Sequence, residues 1–590
     1  MNTKYIAAFI IFVSVIIGAT SSINDSPVVD EIPHIGSGYS YIQQGTYEMN
    51  PEHPPLAKDL AGISLTMLGI KDTAFAMPHP GYWPTDIHGQ WNLGRNLIFN
   101  SGNNADMVMY FARLPLLLFF IFTAIIIFAW TRKLYGDRAA LIALFLFSFS
   151  PTVIAHGRLV TTDMAALFGT LLCFYWLIKY IKNQTIRNLF IAGLAFGVAQ
   201  LTKFSLVLVI PIFVILPIIW GLAHKNLRIG LKTFVDTCLI IIIGYVVIVW
   251  PVYGLHVRNY LPIEQRSDAT NILKDYGYDN LRQPTLQRKV ADVIIWSSDK
   301  PIIRPLAEYA LGVLMVVQRN AGGNQTYFFG QVTYTGTTSY FPIVYFIKEP
   351  LAFWSLILMA LIGMFWLTKR YQCKNFHSWI KDHFAGFAML LWLILYWYTS
   401  ISAHLNIGVR HLLPTYGFIY ILASGQISRI LEHFQYNKKL YGAFSIIIGL
   451  LLGWYLLEMV RVYPYYLTYF NQTVGGPSGG YRYVVDSNVD WGQDLKRVAI
   501  WADDNKIPKI YLDYFGWSDP SYYLKDKYGY MSAGLFMNKK DFLNKNPKGG
   551  YIAVSATFYA ENLKNKYKWL SEIPRLTAIG NSIFVWHINP

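Results

Sequence analysis

The chain has 590 residues, 54% of them hydrophobic and only 14% charged, with 50 Lys and Arg against 34 Asp and Glu and a net charge of +16. Soluble domains carry about 25% charged residues, so the composition excludes a soluble globular protein and points to a membrane protein. The positive excess does not call for a nucleic acid, because the Lys and Arg residues gather in short loops between apolar runs, as they do in loops held on the cytoplasmic side.

Apolar runs lie near 5–20, 108–130, 139–155, 162–180, 188–202, 204–222, 234–254, 341–367, 384–401, 411–427 and 440–462. A hydrocarbon core about 30 Å thick needs roughly 20 apolar residues per spanning helix, so about eleven transmembrane helices are expected. Lys4, then Arg132, Lys133 and Arg138, then Lys179, Lys182 and Arg187, then Lys225, Arg228 and Lys232, then Lys369, Arg370, Lys374 and Lys381, then Arg429, Lys438 and Lys439 all fall on one side under that count. The positive-inside rule makes this side cytoplasmic, with the N-terminus inside and the C-terminus outside. The weakest element is the stretch 188–222, where only Thr202 and Lys203 stand between adjacent runs. The first run also reads as a cleavable signal peptide, with Ala19 and Ser21 near a cleavage site. Cys173, Cys238 and Cys373 are scattered and suggest neither a disulfide framework nor a metal site.

Three outer segments follow from this topology: residues 21–107, residues 255–340, and a polar tail 463–590, so that 1–462 forms the membrane domain and 463–590 a separate outer domain. In the first, Leu56, Leu60, Ile63 and Met67 recur at helical spacing, which predicts an amphipathic helix lying in the outer membrane face. The tail reads as α/β. Trp491–Asn505 has helical spacing with Asp490 as its N-cap, while Lys509–Tyr514, Tyr551–Ser555 and Ser582–Ile588 read as strands.

Four polar clusters share the outer side. Asp30 and Glu31 follow the first run, and two adjacent carboxylates there serve either solvation of a helix end or chemistry. Glu52-His53-Pro54-Pro55-Leu56-Ala57-Lys58 presents Glu, His and Lys around a stiff proline pair. His156 to Asp163 joins two helices, where Asp163 caps the second, takes part in chemistry, or both. His404 to His411 carries Arg410 on the side the orientation rule disfavours for cations; a guanidinium there suits a phosphate. Carboxylates for general-base work beside cations for an anionic group fit group transfer from a membrane-embedded phosphate donor.

At these residues the chain resembles the C-type glycosyltransferase (GT-C) superfamily, close to protein O-mannosyltransferases, lipid A aminoarabinose transferases and bacterial phospholipid carrier-dependent members. Asp30-Glu31 resembles the acidic pair of that group, and Glu52 to Lys58 its acidic-His-Pro-Pro-Leu-Gly-Lys motif, with Ala57 in place of glycine. His156–Asp163 is similar to its second acidic loop. Tyr340-Phe341-Pro342 with Lys348-Glu349-Pro350, Gly408 to Pro414, and Asp486 to Asp494 resemble further blocks. The resemblance implies a polyprenyl-phosphate sugar donor and inverting transfer on the extracytoplasmic side of the cytoplasmic membrane. It implies Asp30 as base, Glu31 and Asp163 as supporting or acceptor-site acids, and Glu52, His53, Lys58, Lys203, Arg410 and His411 around the donor. It leaves a divalent cation open, and no metal ligand is assigned. Asp486, Asn488 and Asp490 are spaced like the start of a calcium loop but lack its glycine and glutamate, so capping and turn formation account for them better. No outer segment has room for the β-trefoil of the eukaryotic mannosyltransferases, which leaves the acceptor open between protein, lipid and glycan. Two rivals stand beside this reading. A transporter of lipid-linked sugars would want ionisable residues at mid-membrane, and a non-catalytic scaffold would tolerate replacement of Asp30 and Asp163.

Overall fold

The computed structural model describes residues 2–76, 89–278, 283–370 and 376–590. Cys373 and Lys374 lie outside the described residues. The architecture is a bundle of long apolar helices capped at one end by two helical outer segments and a C-terminal α/β domain. Among the described residues seven helices are long and apolar enough to cross a membrane, eight if a pair bent by 110° counts as one span.

Two of the expected boundaries are made by sharp reversals. Ala105–Ser148 runs 44 residues by helix length alone, but Gly136 sits at φ +82°, outside the helical region. The rings of Phe120 and Phe147 lie 4.8 Å apart, where a straight helix would separate them by about 40 Å. The chain therefore doubles back at Gly136, between Arg132, Lys133 and Arg138. Glycine is the residue that takes this φ without a Cβ penalty. The Thr202-Lys203 break behaves the same way. Lys203 is extended, with φ −161°, and Phe196 touches Phe213 at 5.4 Å, against about 25 Å in a straight helix. Two segments stand there, as the charge alternation requires.

The run at 341–367 is not one straight span. Tyr340–Lys348 and Leu351–Phe365 meet at 110°, because Glu349 precedes Pro350 and is forced into extended backbone, φ −106° and ψ 143°. Leu413–Phe434 is among the most enclosed helices, with Tyr416, Tyr420 and Ile427 at 0% exposure. Small residues let its neighbours close in: a Cβ on Gly425 would meet the Tyr135 ring at 2.7 Å.

The first outer segment contains helices Glu31–Gln44 and Leu56–Leu68, the second of which leaves Ile63 and Met67 exposed, as its spacing predicts. The second holds helices Pro262–Ile272, Leu286–Ser297 and Arg304–Gly322, then a short hairpin pairing Thr326–Phe328 with Gln331–Thr333. The C-terminal domain carries a five-stranded sheet in the order Tyr528–Tyr530, Ile510–Asp513, Gly550–Ser555, Ile583–Ile588, Thr577–Ile579; the first three are parallel and the last two antiparallel to their neighbours. Three strands coincide with expected ones, and the other two are three-residue strands, too short to alternate visibly. The helix begins at Leu495, with Asp494 at its N-cap position, and not at Trp491. Asp490 is no cap: its carboxylate accepts from the backbone N–H of Thr557 at 3.2 Å and of Gly492 at 3.4 Å.

A buried ionic network fixes this domain to the bundle. Asp25, just past the first span, pairs with Arg158 at 2.8 Å and Arg497 at 2.5 Å, and Arg497 also holds Asp494 at 2.5 Å. Burial would raise the Asp25 pKa, but Arg158, Arg497 and Arg113 overcome it and hold the carboxylate below its ordinary range.

Candidate active site

Three of the four clusters meet in one chain of ion pairs. Arg410 Nη1 donates to Asp30 Oδ2 at 2.7 Å and lies 3.4 Å from Asp163 Oδ2, and Lys203 Nζ reaches Asp163 Oδ1 at 2.5 Å. The four residues come from four places: Asp30 opens the helix after the first span, Asp163 sits in the first turn of Thr162–Lys182, Lys203 lies in the Thr202-Lys203 reversal, and Arg410 lies in the 3-10 turn Val409–Leu412. Asp163 is placed where a helix N-terminus favours a carboxylate. Only Asp30 is accessible: its side chain is 25% exposed, against 1% for Asp163 and 10% for Arg410.

The segment 487–491 packs over Arg410. Its guanidinium stacks on the Trp491 ring at 4.1 Å, and Nε donates to Ser487 Oγ at 3.3 Å. Asn488 Oδ1 accepts from Val409 N at 3.0 Å, and Lys348 Nζ donates to the Asn488 carbonyl at 2.8 Å. This closeness explains Gly408, since a Cβ there would sit 2.4 Å from Ser487 Oγ. The sequence block 486–494 thus packs against the Arg410 turn.

Other expected site residues have different occupations. Glu31 is fully buried and takes four donors: Arg113 Nε at 2.8 Å and Nη2 at 2.6 Å, Val160 N at 2.9 Å and Val28 N at 3.0 Å. It fixes the loops that present Asp30 and Asp163, with no lone pair left for an acceptor. Lys58 is equally enclosed. Its Nζ donates to Tyr41 Oη at 2.8 Å, the Asn50 carbonyl at 2.8 Å, Asn50 Oδ1 at 3.1 Å and the His53 carbonyl at 2.7 Å, and burial depresses its pKa well below the ordinary lysine value. The proline-rich motif is therefore closed by its own lysine. Glu52 is held loosely, by Asn50 Nδ2 at 3.4 Å and Gln90 Nε2 at 3.5 Å.

Burial pushes down the pKa of the histidines around the site. Burial, with His34 and Lys58 nearby, drives the His53 pKa well below its usual value, and the His53 ring packs edge-on to His34 at 4.9 Å. Burial, then Lys203 and Arg410, does the same to His411, whose buried Nε2 has no hydrogen-bond partner among the described residues. Burial lowers His156 to about 3.

Two contributors were missed from sequence. Arg319 lies on Arg304–Gly322, a helix whose Gly312 packs against Phe204 and the Pro51 carbonyl and whose Ala321 carbonyl meets His404 Nδ1 at 3.3 Å. Arg319 is seven residues beyond Gly312 on the same face, and helical side chains lean back toward the N-terminus, so its charge is felt at His53 and His411. It is exposed and makes no hydrogen bond or ion pair among the described residues. One arginine in a polar loop carries no sequence signal of this. The second is Asp486, in the turn behind Arg410. Its place in the Asp486–Asp494 block was the available clue. Among the described residues no three His, Cys, Asp or Glu side chains converge to hold a metal ion.

A bundle of long apolar helices, with an accessible carboxylate at one set of helix ends and buried cations beside it, is the architecture of a multi-pass membrane protein. Residues 6–262, somewhat under half of the chain, match the family model described as dolichyl-phosphate-mannose-protein mannosyltransferase. The chain is 29% identical over 157 residues to the undecaprenyl phosphate-alpha-4-amino-4-deoxy-L-arabinose arabinosyl transferase of Edwardsiella ictaluri, a match spanning 26% of this chain and 26% of that one. In structure it is similar to the S. cerevisiae protein O-mannosyltransferase Pmt1-Pmt2 complex bound to the sugar donor, with TM-score 0.53 and 11% identity over 79% of this chain and 90% of that one. A second similar structure is ArnT from Cupriavidus metallidurans bound to undecaprenyl phosphate, with TM-score 0.47 and 11% identity over 100% of this chain and 98% of that one.

Proposed function

We propose that the chain is an integral membrane glycosyltransferase that moves a sugar from a polyprenyl-phosphate donor to an acceptor hydroxyl on the extracytoplasmic face of the cytoplasmic membrane. The observation that carries this is the Asp30–Arg410–Asp163–Lys203 chain, with its single accessible carboxylate at one end. The arginine- and lysine-rich turns lie at the opposite helix ends, which supports the orientation. The membrane unit is taken as 1–462 and the outer domain as 463–590.

In this reading Asp30 accepts the proton as the acceptor oxygen attacks the anomeric carbon. The bond from that carbon to the phosphate oxygen breaks, and its electron pair leaves on the phosphate. Cations matter most there, because the leaving phosphate gains charge in the transition state. Arg410 and Lys203 are already paired with Asp30 and Asp163, so Arg319 supplies the uncompensated positive charge, and the His411 Nε2 edge offers a neutral contact. Donor binding beside Arg410 also loosens its hold on Asp30. Glu31 and Lys58 act by holding the loops. The related arabinosyl transferase and mannosyltransferase names support a lipid-phosphate sugar donor.

The test is mass spectrometry of envelope lipids and exported proteins from cells with and without the gene. The expected result is loss of one sugar increment from a defined lipid, glycan or protein. D30N should lower that product by at least about 100-fold while still binding undecaprenyl phosphate. Wild-type product levels from D30N would overturn the assignment of the base, and an unchanged glycan profile on deletion would overturn the function.

A further inference from the structure

The last spanning helix, Lys438–Val462, ends beside a cavity that the Asp30–Arg410 site does not use. Glu458 and Arg461 in its last turns, with Tyr469, Phe470, Gln472 and Gly476 from the segment that follows, line a space of about 420 Å³. That volume lies in the range of small-molecule sites, roughly 300–1,000 Å³. The walls are fixed. Lys348 Nζ sits 4.4 Å from the centre of the Phe470 ring, and Asn471 Nδ2 donates to the Phe346 and Glu349 carbonyls at 2.8 and 3.0 Å. At the rim Gly476 takes φ +66°, where a side chain is disfavoured.

Glu458 is the residue that needs a reason. A carboxylate on a spanning helix is costly and is retained where it has a partner or a function. Its side chain is 7% exposed. Oε1 accepts from Gln472 Nε2 at 2.7 Å and Trp454 Nε1 at 3.2 Å, and Oε2 accepts from Tyr469 Oη at 3.3 Å. All three donors are neutral. An ionised carboxylate has about four lone-pair sites, so Oε2 has room for a further donor. Arg461 Nη1 stands 3.8 Å from Oε1, beyond hydrogen-bond distance. Arg461 itself is 66% exposed and donates no hydrogen bond among the described residues. On the adjoining face of the helix Leu457, Val460 and Tyr463 are 43%, 56% and 46% exposed. Apolar residues giving way to a tyrosine at a helix end mark the level of the lipid headgroups.

We propose that this cavity binds the headgroup of an aminophospholipid of the phosphoethanolamine type, taken from the leaflet at this end of the bundle. The ammonium donates to Glu458 Oε2, the phosphate pairs with the Arg461 guanidinium, and the acyl chains lie against Leu457 and Val460. A buried carboxylate beside an exposed guanidinium selects a zwitterion. A purely anionic headgroup would satisfy Arg461 but be repelled by Glu458, and a trimethylated ammonium has no N–H to donate. The cavity is separate from the Arg410 turn. Between them stand Phe470, Lys348 and Asn488, the last accepting from Lys348 Nζ at 2.8 Å and from Val409 N at 3.0 Å. The lipid site therefore stands independently of the transferase reading.

The test uses the purified full-length protein, stripped of lipid in a neutral detergent, with native mass spectrometry and the apparent melting temperature as readouts. The probes are phosphatidylethanolamine, phosphatidylcholine and phosphatidylglycerol with the same acyl chains, and free phosphoethanolamine. Wild type should bind phosphatidylethanolamine about tenfold more tightly than the other two lipids and melt at a higher temperature with it. Free phosphoethanolamine, which has no chains to bury, should leave melting unchanged. E458Q and R461Q should each remove the preference. Arg461 is exposed and loosely paired, so R461Q should melt like wild type without lipid, which keeps the test decisive if E458Q is poorly folded. Equal binding of the three lipids by wild type, or an intact preference in R461Q, would overturn the site. Stabilisation by free phosphoethanolamine as large as that by the lipid would overturn the lipid assignment in favour of a soluble ligand.

Discussion

Replacing Lys58 with Met separates two jobs that one lysine in this motif could have. The ammonium has no exposed surface and is ringed by Tyr41 Oη, the Asn50 carbonyl and side chain, and the His53 carbonyl, all within 3.1 Å. Methionine keeps roughly the volume but strands these acceptors and loses the Nζ contacts with the Tyr41 and Tyr47 rings at 4.8 and 5.0 Å. Each stranded buried acceptor costs about 1–3 kcal/mol, while removing a desolvated amine returns some of that. The balance is a loss of about 3 kcal/mol, borne by the loop 50–55 and the adjoining Leu56 N–H, which donates to the Leu201 carbonyl at 3.3 Å. The assay is the apparent melting temperature of the purified protein, with and without undecaprenyl phosphate. K58M should melt at a lower temperature yet show the same upward shift on adding the lipid phosphate. A variant that melts like wild type but no longer responds to the lipid would refute the reasoning and make Lys58 a phosphate ligand.

The remaining predictions concern charge. R319A should weaken undecaprenyl phosphate binding about tenfold, or about 1.4 kcal/mol, with a smaller dependence on salt, read by titration in nanodiscs; unchanged affinity would remove Arg319 from the donor site. E31Q should lower the melting temperature more than D30N, because it leaves Arg113 buried with its partner neutralised, a loss of about 3–5 kcal/mol; equal melting of the two variants would contradict the positioning role. Acidification should destabilise the protein through His156. Its pKa is about 3 when folded and 6.5 when free, so between these values the unfolded chain binds more protons and stability falls as pH falls, by up to about 1.4 kcal/mol per unit. H156Q should therefore show a shallower loss of melting temperature between pH 6.5 and 4.5, and an unchanged slope would show that His156 is not the group responsible.

Much of the fold was legible because membrane crossing imposes length and polarity on every span. The Gly136 and Thr202-Lys203 reversals were readable from charge alternation alone, and ring contacts across each bear them out. The bend at Glu349-Pro350 escaped because hydropathy averages over a window and does not see backbone direction. The helices of 255–340 escaped because that segment is stabilised by packing against the bundle, as Tyr309 is through Gln200 and Phe204. The strands at 528–530 and 577–579 are set by their neighbours and are too short to show period two.

Within the site, residue type told where charge is placed but not whether that charge is free. Lys58, Glu31 and Arg410 were all chosen as residues able to meet a substrate, and each has its hydrogen bonds met by the protein to a different degree. Glu31 has four donors, Lys58 four acceptors, and Arg410 two carboxylates and a hydroxyl. Among the described residues, the Arg319 guanidinium and His411 Nε2 make no hydrogen bond; they come from the Arg304–Gly322 helix and the Val409–Leu412 turn. Under the proposed function, the search for substrate contacts begins with charged groups that have hydrogen-bonding capacity left among the described residues, and Arg319 on the Arg304–Gly322 helix is the first of these.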